Sequence, residues 1–186
     1  MTAGPAWVFG YGSLVSPTSL RRTIGRDVPG TDRRVAHLEG FGRRWNYGSQ
    51  RLRGDWHHDG RVVERGVVVS LGLVEADEVC NGVIFRVSAE ELVRLDRRES
   101  DYERTEVTDR IRVQGREIEG PVVTYVPRSS AVARYEEARA RRRAAVRREY
   151  WELVHAAFAD LGEAHLDAMV RTPSPDVPVV DVRLVS

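Results

Sequence analysis

Two stretches of the chain carry residue types at spacings that could do chemistry. The first is Gly10-Tyr11-Gly12-Ser13-Leu14, the end of an apolar run that begins at Trp7. Trp7, Phe9 and Tyr11 alternate, so in a strand they share one face. Glycines at 10 and 12 let the backbone bend or be approached closely. Ser16-Pro17 offers an N-cap and a first helical residue, which predicts a helix from Pro17 to about Ile24. Strand, glycine turn and helix N-terminus together aim backbone N–H groups at one point, an arrangement suited to an anion or a developing oxyanion. The same glycines would serve equally if they only turned the chain, and local sequence does not choose between the two.

The second stretch is Leu95-Asp96-Arg97-Arg98-Glu99-Ser100-Asp101-Tyr102. Here a helix is due to end, and a carboxylate at a helix C-terminus faces the negative end of the dipole. That position favours the protonated form of Glu99, burial would favour it further, and a carboxyl so poised can take and return a proton near neutral pH. The competing reading is a solvated Glu99 in a cluster with Arg97, Arg98 and Arg104.

Other candidates offer less. His57-His58-Asp59 are adjacent, without the spacing of a helical or hairpin metal site, and no metal site is expected. The flank of Cys80 matches no thiol-enzyme pattern, so a small buried residue is expected there. Arg134 to Arg148 carries seven Arg against Glu136 and Glu137, but the arginines surround a helix instead of forming one stripe. The glycine turn lacks the third glycine of a dinucleotide fingerprint, since Val15 stands there, and no βαβ repeat supports one. No Gly-Lys-Ser/Thr follows it, and Ser13 is not centred between glycines as in a nucleophile elbow. No cofactor is implied.

Elements must position these residues. The 186 residues predict one domain, residues 1–186. Asp27–Thr31 reads as a turn, and Arg34–Tyr47 as extended chain with Phe41, Arg43, Trp45 and Tyr47 on one face: an aromatic face carrying one arginine. Gly48–Gly60 reads as an exposed loop. Gly66–Val74, apolar on both parities, reads as a strand buried on both faces. Glu75–Val79 reads as a polar connection, and Asn81-Gly82 leads into a strand over Val83–Val87. Ser88 with Glu91 is a capping box, predicting a helix from Ala89 to about Arg98. Thr105–Val113 and Val122–Val126 read as strands, the latter stopped by Pro127. Ala131–Leu161 has helical composition, with Tyr150, Leu153, Val154, Ala157, Phe158 and Leu161 forming an amphipathic stripe. Gly162 reads as its C′ residue. A short helix is expected over Glu163–Val170 and an edge strand over Val179–Val185. About six strands and four helices make an α+β fold, a small mixed or antiparallel β-barrel flanked by helices, with barrel core about 6–126 and a helical part about 131–170.

Composition excludes some classes. A net charge of +1 steers neither nucleic acid nor a membrane surface to the protein. All 29 basic residues are Arg, which fits GC-rich codons. No run approaches the length of a membrane span, Met1–Pro5 does not read as a secretory leader, and the lone Cys80 has no disulfide partner in the chain. A cytoplasmic protein, monomer or homodimer, is expected.

With these residues in place the sequence resembles the γ-glutamylcyclotransferase-like family. Val8–Leu14 is similar to its N-terminal glycine motif and Asn81–Val87 to its central strand. Glu91 to Glu99 followed by Tyr102 is similar to the segment bearing its catalytic Glu, and Val123–Val126 to its following Tyr strand. The ordered set, spanning residues 7–126, is more specific than any one motif. The C-terminal helices resemble the tail of the ChaC-type branch loosely. That branch's Arg-Gly-Thr-Pro stretch is missing, with Arg53-Gly54-Asp55-Trp56 at most an echo, so a preference for glutathione does not carry over. The resemblance implies a small-molecule γ-glutamyl substrate whose α-amine attacks its own γ-carbonyl, giving 5-oxoproline and a free amine. It assigns the proton transfers to Glu99, substrate contacts to the backbone of Tyr11, Gly12, Ser13 and Leu14, and pocket hydroxyls to Tyr102 and Tyr125. Two other outcomes stay in view: an amide hydrolase or acyltransferase using the same pocket, and a non-enzymatic binding module.

Overall fold

The computed structural model describes residues 5–115 and 118–185. Met1–Gly4, most of the stretch read above as no secretory leader, lie outside the described residues. β1 (Ala6–Gly10) is buried at all five positions. It lies antiparallel to β3 and parallel to β6, defined below, so both its edges are paired and both its faces covered. A 3-10 turn (Ser13–Val15) leads to α1 (Pro17–Ile24), whose Ser16 cap accepts the Ser19 N–H at 3.3 Å and whose C-cap is Gly25 at φ 86°. The helix lies over the predicted residues.

β2 (Arg33–His58) and β3 (Arg61–Val87) form one long antiparallel hairpin, turning at Asp59 and Gly60 with φ of 48° and 70°. Four register shifts, between Glu39 and Phe41, Arg44 and Tyr47, Gly48 and Arg53, and Gly54 and Trp56, break its ladder. Each bulge bends the ribbon and adds twist, which curls it. Two expectations fail here. Gly48–Gly60 is strand up to His58, with Trp56 buried, and Glu75–Val79 is strand throughout. Both stretches are polar because an extended ribbon turns much of its surface to water, not because pairing stops.

α2 (Ala89–Arg98) begins at the predicted capping box: Ser88 Oγ accepts the Glu91 N–H at 3.2 Å and Glu91 Oε2 accepts the Ser88 N–H at 2.8 Å. The stretch expected as one strand over Thr105–Val113 is β4 (Tyr102–Glu106), a 3-10 turn (Thr108–Arg110) and β5 (Ile111–Val113). β6 (Val122–Pro127) follows. The stretch expected as helix over Ala131–Leu161 is broken in two. α3 (Ser129–Ala140) stops, β7 (Ala144–Arg147) adds to the sheet parallel to Val67–Val69, and α4 (Arg148–Ala159) resumes. Ala144, Ala145 and Val146 are buried, so distant strand pairing overrides the local helical preference of an Ala/Arg segment. α5 (Glu163–Val170) starts at Gly162, which is its N-cap at φ 122° and not a C′ residue of α4. β8 (Val179–Val180) and β9 (Arg183–Val185) pair with β7 and β2.

The sheet runs β4-β6-β1-β3-β2-β5, with β7, β8 and β9 attached to it. It is mixed, curled into a half-barrel and flanked by helices, the expected α+β arrangement. The main core fills the curl, with Phe9, Phe85, Leu71, Leu73 and Phe158 fully buried. A smaller cluster, Trp56, Val63, Ala145 and Val180, sits under the far end of the hairpin. No helix of the described residues is long and apolar enough to cross a membrane.

Candidate active site

Side chains at the two glycines of the turn would crowd their neighbours. A Cβ on Gly10 would lie 2.9 Å from Leu14 Cβ, and one on Gly12 would lie 3.1 Å from Tyr150 Oη. After the turn, Val15 N–H donates to Gly12 O at 3.0 Å and Ser16 N–H to Ser13 O at 3.1 Å. The N–H groups that open this short 3-10 turn have no partner within it, as at any helix start.

Glu99 is the C-cap of α2, with its N–H on Leu95 O at 2.8 Å and its carbonyl accepting the Tyr102 N–H at 2.8 Å. Its side chain is 14 % exposed, and Oε1 lies 3.2 Å from Arg98 Nε. Burial pushes the Glu99 carboxyl above its ordinary value, and the Arg98 charge opposes the shift without cancelling it. Both readings of this residue thus hold a part: Glu99 has an arginine partner, yet it is largely removed from water. Arg98 also donates to Ser13 Oγ at 3.0 Å and to Thr23 Oγ1, tying the end of α2 to the glycine turn and to α1.

Tyr11, Gly12, Ser13, Leu14, Glu99, Tyr102 and Tyr125 converge on one cleft of about 40 Å³. The hydroxyls of the expected pocket tyrosines already donate: Tyr102 to Leu71 O at 3.0 Å and Tyr125 to Asp96 Oδ1 at 2.8 Å. Tyr11 donates to Tyr125 O at 2.6 Å, and Tyr102 stacks on Tyr47 at 4.3 Å. Burial raises the phenols of Tyr11, Tyr102 and Tyr125, so all three stay neutral donors. Sequence reasoning missed Tyr150. It heads the amphipathic stripe of α4 and read as core, but it lines the cleft and meets the Trp45 ring edge-on at 6.1 Å. Its phenol is pushed up to about 12 by burial, held back by hydrogen bonds from the backbone of Leu71 and Ser13. A polar tip on an otherwise apolar stripe was the signal for it. The cleft opens into a groove of about 410 Å³ that shares Ser13, Glu99, Tyr102 and Tyr150 and adds Arg22, Arg51, Arg98, Asp101, Arg147 and Glu149.

The remaining candidates lie elsewhere. His57 and His58 stand at the exposed end of the hairpin, with His58 Nε2 3.3 Å from Asp59 Oδ2. Arg53–Asp55 pair with β9. Cys80 is buried, and burial raises its thiol against the pull of Arg43. Arg134 binds Asp101 at 2.7 Å, and Arg139 and Arg141 pair within α3 and its C-cap with Glu136 and Glu137. Among the described residues no group of three or more His, Cys, Asp or Glu gathers to hold a metal ion.

A family model described as ChaC-like protein matches residues 6–146. The chain is similar to glutathione-specific gamma-glutamylcyclotransferase 1 of Danio rerio, 34 % identical over 87 residues, 46 % of this chain and 36 % of that protein. It is also similar to gamma-glutamylcyclotransferase 2-3 of Arabidopsis thaliana, 33 % identical over 110 residues, 55 % of this chain and 47 % of that protein. The chain thus spans less than half the length of these curated relatives. Among solved structures, a gamma glutamyl cyclotransferase specific to glutathione from yeast shares its fold, with a TM-score of 0.60 at 17 % identity over 91 % of this chain and 96 % of that one.

Proposed function

This chain belongs to the ChaC-like family, and on that premise we propose that it is a γ-glutamylcyclotransferase with Glu99 as its acid and base. The observation that carries the reading is the meeting of a desolvated carboxyl, Glu99, with the glycine turn in one small cleft. In the proposed reaction the turn from Tyr11 to Leu14 holds the charged and carbonyl oxygens of the γ-glutamyl group. Ionised Glu99 takes a proton from the substrate's α-ammonium. The freed amine attacks the γ-carbonyl carbon, forming the ring C–N bond and placing negative charge on the carbonyl oxygen. Glu99 then delivers the proton to the leaving nitrogen, and the oxygen's charge re-forms the carbonyl as the amide C–N bond breaks. Glu99, ionised again, takes the second proton from the ring nitrogen and passes it to the departing amine, so that 5-oxoproline and an ammonium result. Amine and carbonyl are tethered in one molecule, so closure carries a proximity advantage and the scheme needs no cofactor.

The leaving amine would lie in the adjoining groove, where Arg22, Arg51, Arg98 and Arg147 stand against Glu99, Asp101 and Glu149. An amine half with a carboxylate suits that lining. The name of the Danio rerio relative makes glutathione the first compound to offer, ahead of γ-glutamyl amines and other γ-glutamyl peptides. The test is incubation of the purified protein with that panel, in chelator, with 5-oxoproline and free glutamate both quantified. We expect 5-oxoproline in step with released amine. Free glutamate in its place would make the protein a hydrolase, and no turnover on any γ-glutamyl compound would leave a binding module.

A further inference from the structure

Arg43 stands between Phe41 and Trp45 on β2 and is only 4 % exposed. Its guanidinium makes no ion pair among the described residues. Nε donates to the Tyr11 carbonyl at 2.8 Å, Nη2 to Asn81 Oδ1 at 3.1 Å and to the Asn81 carbonyl, and Nη1 to Thr172 Oγ1 at 3.3 Å. The Phe158 ring centre lies 4.7 Å from Cζ. Carbonyls, an amide, a hydroxyl, the Cys80 thiol and a ring surround the charge, and none of them cancels it. Two acidic groups are near. Glu78 lines the same cavity but is engaged by Arg44. Cys80 is held protonated by burial. A buried cation without a counter-charge is costly to keep, and a fold that keeps one calls for a use.

The contact with Tyr11 supplies the use. No peptide bond among the described residues is cis, so the Tyr11 carbonyl and the Gly12 N–H, which belong to one amide, point in opposite directions. Arg43 does not line the cleft. It lines a separate cavity of about 240 Å³ with Cys80, Asn81 and Thr172. It therefore grips the turn from behind. A cation on the carbonyl fixes the plane of that amide and polarises it, which strengthens the N–H on the other side.

We infer that Arg43 is a positioning residue for the substrate's anionic group, acting through the Tyr11 carbonyl to orient the glycine turn and to place an uncancelled positive charge behind it. The inference rests on the function proposed above. It predicts a change in substrate affinity, because an anion held by the turn is held in both ground and transition states.

The experiment measures KM and kcat for 5-oxoproline release by the wild type, Arg43→Ala and Arg43→Lys, with and without millimolar guanidinium ion. Loss of a charge-assisted hydrogen bond should raise KM on the order of 10- to 100-fold in Arg43→Ala, with kcat within a few-fold. Arg43→Lys, which keeps the charge and loses the fork, should fall between. Guanidinium, entering the cavity beside Asn81 and Thr172, should lower KM in Arg43→Ala and leave the wild type unchanged. An unchanged KM with kcat reduced in proportion to the folded fraction would make Arg43 structural only and overturn the inference. If Arg43→Ala does not fold, Arg43→Lys decides: a KM raised several-fold supports the inference and a wild-type KM overturns it. If the wild type releases no 5-oxoproline, calorimetric binding of glutathione to wild type and Arg43→Lys replaces KM. Weaker binding to the variant then keeps the inference while the proposed reaction falls, equal binding overturns it, and no binding to either overturns both.

Discussion

The glycine-turn cleft and the groove at the far end of the β2–β3 hairpin divide the ionisable residues of this protein in opposite ways. The hairpin groove is far larger, about 940 Å³ against about 40 Å³, and it holds Asp55, His57, His58, Arg147, Arg148, Glu149, Asp181 and Arg183. Its charges answer one another across open surface. Arg183 meets Asp55 at 2.6 Å, Arg148 meets Asp181 at 3.1 Å, and Arg147 meets Glu149 at 3.0 Å. Exposed pairs of this kind do little work. The cleft does the reverse: Glu99, Tyr11, Tyr102 and Tyr150 are all shifted by burial before anything else. The proposed function follows desolvation and not volume, and the two regions test that choice.

The contrast breaks most directly at Glu99. Glu99→Gln keeps the shape and removes the titrating group, so kcat should fall on the order of 10²–10⁴-fold with KM little changed. A loss of only a few-fold would return Glu99 to the status of its exposed neighbours. In the wild type, the acid limb of kcat/KM should lie above the ordinary carboxylate value of 4.5, because the carboxyl must be ionised to take the first proton and burial raises it.

A second test separates backbone from side chain in the turn. Gly12→Val puts methyl groups against Tyr150 Oη, where even a Cβ is 3.1 Å away, and KM should rise on the order of 10-fold or more. Ser13→Ala leaves the main-chain donors in place and removes only the acceptor of one Arg98 hydrogen bond. Its effect should stay within a few-fold, and the opposite ranking would make the hydroxyl the working group.

The ability to name these residues from sequence followed how local their signals are. Ser16-Pro17 and the Ser88/Glu91 box are contained within one helical turn each, and both helices begin where those signals put them. The glycine turn and Glu99 sit in short segments flanking these helices, so their neighbourhood was legible even though its roles were not. The losses were non-local. β7 is a strand because Val67–Val69 lies beside it, and nothing in Ala144–Arg147 announces that partner. Trp56 is buried by Val63, Ala145 and Val180, which are up to 124 residues away, so Gly48–Gly60 read as loop. Tyr150 was legible as an amphipathic position but not as a cleft residue, because the side it faces depends on how α4 docks. Arg43 was visible as one charge on an aromatic face, and only the register of β2 on β3, which carries β1 on its other edge, shows what it holds.

A third test turns catalysis against stability at one residue. A carboxyl raised by burial favours its proton in the folded state. Ionised Glu99 therefore costs stability at neutral pH, and the cost disappears once pH falls below the unfolded value, where both states carry the proton. Glu99→Gln should melt higher than wild type at pH 7, on the order of a few degrees, and the gap should close as pH is lowered past about 4. A variant that melts below wild type at pH 7, with the deficit closing in acid, would mean the Arg98 ion pair, and not burial, governs the residue.

The smallest effect is expected where the cavity is largest. Arg183→Ala removes the 2.6 Å pair with Asp55, one of the closest in the hairpin groove. Asp55 keeps the Arg65 N–H at 2.8 Å, so its carboxylate is not abandoned, and Arg183 itself is 80 % exposed. β9 stays paired to β2 through Val185, Leu184 and the backbone of residue 183, so the edge of the sheet is not released. The carboxyl of Asp55 is held below its ordinary value chiefly by the Arg65 N–H and then by Arg183, and what stability it lends is present at neutral pH and lost in acid. Turnover and KM in Arg183→Ala should both stay within ~2-fold, and the melting temperature within ~2 °C at pH 7. A larger loss of turnover would mean that the far groove reaches the substrate through Arg147 and Glu149, the two residues it shares with the groove beside the cleft. The two regions would then be one extended site, and the division by desolvation drawn above would describe only its floor.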